Sequence, residues 1–263
     1  MALCQGNIQG YIETLEDFER RLDTIGSTNT STIVWGAGAF NLGNVGCASV
    51  NEGTFNFTVD EANGILACTT DSGDDDNCFL FTGTGSPDVN GTMIIESRSK
   101  FNSATLGALF TGFTSVLAMD TPVVPMEFAT ATMTYNGTGQ ILGVLLDTDA
   151  TTDDFRASAG TNAAVTGTNR ATNASLASAG VRANETITAD EWYITRVELD
   201  QSGWGRVYVG HKGRGLDQIL VVSGLATSTQ LFATTGFENR SAAARLWEVD
   251  YFYSRWGRDW EVT

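Results

Sequence analysis

Proline is scarce in this 263-residue chain, which has three prolines, four cysteines, one histidine and only two lysines, Lys100 and Lys212. Few prolines and a charged fraction of only 17% exclude wholesale disorder. Cys4, Cys47, Cys68 and Cys78 are too few for a disulfide framework, and no CxxC pair points to zinc. Cys68 and Cys78 flank one acidic loop and could face each other across a hairpin, although two small buried side chains are the preferred reading. No apolar run approaches the ~20 residues of a membrane-spanning helix. The opening segment, MALCQGNIQGYIETLEDFERRL, has no basic stretch followed by an apolar one, so a soluble protein made in a cytosol is expected. The chain lacks a G-x-S-x-G elbow and a G-x-x-x-x-G-K-[ST] phosphate loop. The sole histidine, His211, sits in the turn-like VGHKGRG, which disfavours nucleophile–base catalysis.

Charge is lopsided. The formal net charge of −16 argues against nucleic acid or an anionic membrane as partner, since both would repel the chain. A basic partner, a cation or simple solubility fits it. Apolar residues make up 42%, enough for a real core, and the length suits one large all-β domain.

The patterning divides the chain. Residues 1–50 read as an N-terminal arm, Gly-rich toward its end, with a helix over about 13–25. There Thr14 and Asp17 form a variant capping box, and Leu15, Phe18, Leu22 and Ile25 recur at helical spacing. From residue 51 to 256 short runs of period two dominate: TFNFTV, GILACTT, CFLFTG, TMIIESRSKF, LGALFTGFTSVLAM, QILGVLLD, EWYITRVELD, GRVYVGHKG, QILVVSG, LFATTGFEN and ARLWEVDYFYSRW. In YITRVELD, Ile194, Arg196 and Glu198 alternate with Thr195, Val197 and Leu199, so one face can be wet. About a dozen strands without intervening helices predict two stacked antiparallel sheets, a sandwich or jelly roll. In the last strand, Leu246, Glu248, Asp250 and Phe252 are expected on one face, opposite Trp247, Val249, Tyr251 and Tyr253. Residues 150–188 are rich in Ala, Thr, Asn and Gly and read as a long excursion or as flat-packing small-residue strands. Residues 257–263 form a tail.

The stretches NGILACTTDSGDDDNCFLFTG, MIIESRSKF, EWYITRVELDQSG with GRVYVGHKG, and GFENRSAAARLWEVDYFYSRW together resemble concanavalin A-like jelly rolls of bacteriophage virion structural proteins. The resemblance spans about residues 54–256, and its motifs are structural rather than catalytic. It implies an all-β, two-sheet antiparallel jelly-roll sandwich, here with a short N-terminal helical arm. It also implies a virion component, such as a capsid decoration or cement protein.

Asp71, Asp74, Asp76 and Asn77 in DSGDDDN are candidates for an irregular calcium site, but the loop lacks the EF-hand spacing and reads first as a turn. No other cofactor is expected. Glu248 and Asp250, or Glu198 and Asp200, could serve an endoglucanase-like hydrolase of this fold, yet neither pair has a third acid nearby. Trp204, Trp247, Trp256 and Trp260 are candidates for stacking on a glycan. Leu15, Phe18, Leu22 and Ile25 of the arm, with Trp256, Arg258 and Trp260 of the tail, are candidates for an interface. The expectation is a non-enzymatic virion protein that docks on a major capsid protein or neighbouring subunits as a homo-oligomer. The alternative is a carbohydrate-binding fibre or adhesin module.

Overall fold

The computed structural model describes residues 11–16, 34–35, 45–49, 53–57, 64–103, 107–116, 123–183, 187–211 and 215–257. Its strands, in chain order, begin with β1 (Tyr11–Glu16), β2 (Val34–Trp35), β3 (Val45–Ser49), β4 (Thr54–Phe57), β5 (Leu66–Thr69) and β6 (Asn77–Gly85). A four-residue helix, α1 (Pro87–Asn90), precedes β7 (Met93–Phe101), β8 (Gly107–Thr114), β9 (Met126–Ala129), β10 (Thr132–Tyr135) and β11 (Ile141–Asp147). Then come β12 (Arg156–Thr161), β13 (Ala164–Val165), β14 (Thr168–Asn169), β15 (Ala174–Ser175) and β16 (Val181–Arg182). The last are β17 (Tyr193–Leu199), β18 (Gly205–His211), β19 (Asp217–Ser223), β20 (Leu231–Asn239) and β21 (Leu246–Gly257).

These strands build two antiparallel sheets, as the period-two runs predict. The first runs β15-β14-β19-β18-β17-β7-β21-β5-β4, with β1 also on β21; the second runs β13-β12-β11-β8-β20-β6-β3-β2, with β16 on β12. Strict alternation of buried and half-buried residues in β7 and β17 gives the first sheet one core face and one open face. Val197, Trp247, Phe252, Phe101, Leu109 and Phe113 are among the side chains that meet between the sheets.

The second sheet is covered on both sides. Every residue of β8 and of β11 is buried. Outside it, Phe79, Phe81, Phe110, Ile141 and Leu145 pack with Met126, Phe128, Met133 and Tyr135 of the β9–β10 hairpin. Gly112 and Gly143 stand opposite each other in register. A Cβ at Gly143 would lie 2.5 Å from the Phe110 ring, and one at Gly112 would lie 2.3 Å from the Leu142 carbonyl. The missing side chains let that ring lie flat on the sheet.

Three expectations change. Residues 13–16 are strand, not helix: β1 pairs antiparallel with β21, from Tyr11 opposite Gly257 to Glu16 opposite Phe252. The long free edge of β21 supplies backbone partners that outweigh a weak local helix preference. Residues 17–25, including Phe18, Leu22 and Ile25, lie outside the described residues. Strands β2 and β3 join the second sheet, and Val45 and Cys47 are core residues, so the sandwich takes in strands from before residue 51. Finally, a β-bulge between Val249 and Tyr251 shifts the register of β21 on β7. The bulge sets Asp250 and Tyr251 side by side on the half-buried side, so Tyr251 and Tyr253 join the open face and Phe252 and Trp256 turn into the core.

The small-residue excursion borders both sheets, with β14 and β15 ending the first and β13 and β16 ending the second. Cys68 and Cys78 lie on strands of different sheets, so the loop between them is an arch across the sandwich and not a hairpin. Cys47, Cys68 and Cys78 are buried thiols, none of them in a disulfide. Burial, then the neighbouring thiols, pushes the Cys68 and Cys78 thiols up, which makes them poor nucleophiles. Under native conditions a thiol reagent such as Ellman's is therefore expected to modify no more than one of the four cysteines, and all four after unfolding. Native labelling of Cys68 or Cys78, located by peptide mass, would contradict this packing.

Candidate functional site

Two polar constellations stand out, one at a pole of the sandwich and one on the open face.

The pole is organised by Asn239 and Arg240 at the end of β20. The Asn239 side chain donates to the carbonyls of Asp71 (2.7 Å) and Gly73 (3.1 Å) and accepts from the Thr70 hydroxyl (2.7 Å). The Asp76 carboxylate is buried and accepts from the Gly73 N–H at 2.5 Å, while Asp75 takes a left-handed conformation (φ 65°). The Asn77 amide donates to Glu238 at 3.3 Å. Asp74 is exposed and Asp71 half-buried. The four calcium candidates thus fold the arch and do not converge. Among the described residues, no group of three or more His, Cys, Asp or Glu side chains is arranged to hold a metal ion.

A cation does sit among carboxylates here, and it is Arg240, whose side chain is 5% exposed. Its guanidinium grips Asp147 with two bonds, Nε to Oδ1 at 3.1 Å and Nη2 to Oδ2 at 2.9 Å. It also meets Glu238 at 2.7 Å, Asp75 at 3.2 Å, Glu127 at 3.7 Å and Asp149 at 3.8 Å. Burial opposes its charge, but hydrogen bonding to Asp147 and the fields of Glu238, Asp147 and Glu127 outweigh this, so its pKa rises above the ordinary arginine value. Asp147 further accepts from the Phe128 N–H at 2.7 Å, and Glu238 from the Val124 N–H at 3.3 Å. One ionic cluster thereby ties β20, the arch, the loop after β11 and the start of the covering hairpin.

The open face of the first sheet is different. Across β17, β7 and β21 the outward side chains form a paired lattice. Arg196 bonds Glu96 (3.0 Å) and Glu198 (2.8 Å), Arg98 bonds Asp250 (2.6 Å), and Lys100 pairs with Glu248 (2.8 Å). Tyr251 donates to Glu96 at 2.6 Å and Tyr253 to Glu13 at 2.8 Å. Burial and then these carboxylates push both phenols up, Tyr253 to about 12, so they stay protonated donors. At one end lies the half-buried Trp192, with the Arg98 and Lys100 cations 4.8 and 4.9 Å from its ring centre. Beside it Glu191 bonds His211, whose ring stacks on Tyr193 at 4.9 Å.

The expected residues are distributed as follows. Glu248 and Asp250 stand on the open face, each tied to a cation. Glu198 pairs with Arg196, and Asp200 braces Arg206 and the β17–β18 turn. Of the four tryptophans weighed for a glycan, Trp204 lies half-buried under Arg170, Trp247 and Trp256 are buried, and Trp260 is outside the described residues. Trp256, expected at an interface, is 3% exposed in this chain's own core, where the bulge places it; Leu15 is 53% exposed on β1, and Arg258 is outside the described residues. Sequence reasoning missed Arg240 and the role of Trp192. The first left one signal, a charged ENR triplet ending an apolar strand, and the second none beyond its strand-opening position.

No protein-family model and no curated protein matches the chain. Solved structures do. A protein of unknown function from Shewanella oneidensis MR-1 superimposes with a TM-score of 0.56 at 12% identity, over 98% of this chain and 91% of that one. Peanut lectin, solved with a nine-residue peptide, superimposes with a TM-score of 0.52 at 10% identity, over 94% and 97% of the two chains. The chain therefore has the two-sheet jelly-roll fold of the legume, concanavalin A-like lectins.

Proposed function

We propose that this protein is a non-enzymatic, lectin-like binding module whose ligand is a carbohydrate, bound on the open face of the first sheet beside Trp192. The observation that carries the reading is the lattice there. Its acids and bases neutralise one another while phenols, guanidinium groups and an indole remain at the surface. Such a face has many fixed hydrogen-bonding groups and an aromatic ring, which suits an uncharged polyhydroxyl ligand. The other sheet's outer face, by contrast, is filled by phenylalanines and a hairpin. The lectin-type fold supports the same reading. Catalysis finds no support in Glu248 and Asp250, since Lys100 and Arg98 occupy their carboxylates. Of the seven residues expected at a particle interface, Leu15 is exposed on β1, Trp256 is buried in this chain's own core, and the other five lie outside the described residues.

A glycan array followed by calorimetry on the best oligosaccharide tests this. Trp192→Ala is expected to weaken binding at least tenfold, the scale of a lost stacking platform. Its melting temperature should stay within a few degrees of wild type, because the indole is only half-buried. An array with no ligand would refute the carbohydrate reading. Binding that survives Trp192→Ala unchanged would refute its placement.

A further inference from the structure

We infer that Arg240 is the resident cation of the acidic pole: its guanidinium stands where a metal ion would be needed to gather Asp75, Glu127, Asp147, Asp149 and Glu238, so this lectin-type sandwich requires no divalent metal. The argument is geometric. The carboxyl groups come from four separate segments of chain, the arch, the covering hairpin, the loop after β11 and the end of β20. Asp147 and Glu238 are the buried pair, and without a cation their repulsion would drive the end of β11 and the end of β20 apart, while Asp75, Glu127 and Asp149 ring the guanidinium at the solvent-facing rim. Their oxygens are spaced for a flat fork. Asp147 takes two parallel bonds from Nε and Nη2, and Glu238 and Asp75 share Nη1. Calcium would need six to eight oxygens on a sphere at about 2.3–2.6 Å, and the guanidinium fills that space. The ion is covalently part of the strand that also carries Asn239, so the pole closes as soon as β20 is in place. The inference does not depend on the carbohydrate reading.

Wild type and Arg240→Gln are to be melted in EDTA and across a calcium chloride titration. The wild type is expected to melt at one temperature throughout. The variant keeps a side chain of similar length but leaves the carboxylates without a cation. It should lose roughly 10 °C. Calcium should then restore at least half of that loss, saturably, as binding to the folded state alone requires. Adding Asp147→Asn to the variant should abolish the recovery. Arg240→Lys keeps the charge without the fork and should melt between the two, which preserves a readout if Arg240→Gln does not fold without calcium. A wild type that loses stability in EDTA would overturn the inference. So would an Arg240→Gln variant indifferent to calcium, or an Arg240→Lys variant as stable as wild type.

Discussion

Trp247→Ala is expected to cost about 3–5 kcal/mol, the range for truncating a sealed aromatic. Trp247 is 0% exposed and heads the fully buried side chains by volume. It faces inward from β21, in register with Cys68 on one side and Phe101 on the other, so it belongs to the seam between the sheets. Its indole N–H has no hydrogen-bond partner among the described residues. That orphan donor already carries a desolvation penalty in the native state, on the order of 1–3 kcal/mol. Trp247→Phe loses ring volume but also removes the orphan, and its cost should be well under half that of the alanine variant. Urea unfolding of the three proteins, compared at the midpoint with unchanged slope, reads this directly. Equal losses for Phe and Ala would mean that the indole nitrogen is satisfied after all.

The second large effect is a pH dependence centred on Glu238. Burial pushes its carboxyl up from 4.5 to about 7, against the opposing pull of Arg240, the Val124 N–H and the Asn77 amide and with a further push from Asp75. The folded protein thus holds this proton more tightly than the unfolded chain does. The resulting stability is complete below about pH 4.5 and disappears as pH rises through 7. The gap between those two values corresponds to roughly 3 kcal/mol. Glutamine cannot ionise, so Glu238→Gln should gain about that much relative to wild type between pH 4.5 and 8. Other carboxylates titrate in both proteins, and taking the difference between the two stability curves cancels them. Parallel curves would show that Glu238 ionises in the fold as easily as in the unfolded chain.

Legibility varied along the chain for physical reasons. YITRVELD announced its wet face because a sheet covered on one side writes that asymmetry into alternate residues, and β17 has the face so read. LGALFTGFTSVLAM and QILGVLLD were recognisable as strands, but their continuous apolar character did not say what covers the second face; the β9–β10 hairpin does. YIETLE looked helical beside the residues that follow it, and the edge of β21 made it a strand. In WEVDYFYSRW one bulge exchanged the faces of every later residue, taking Tyr251 and Tyr253 outward and Trp256 inward. A one-residue insertion in the pairing leaves no mark on the pattern itself.

By itself the amino-acid order determined the class of the fold, two antiparallel sheets from residue 54 onward, because side-chain alternation is a property of each strand taken alone. Only the tertiary structure decided that an arginine stands at the centre of the acids, and which sheet face is left open. Asp75 and Arg240 are 165 residues apart in the chain yet 3.2 Å apart in the fold. No short window of sequence carries such a meeting, which exists only after the arch, the hairpin and β20 have been brought to one pole.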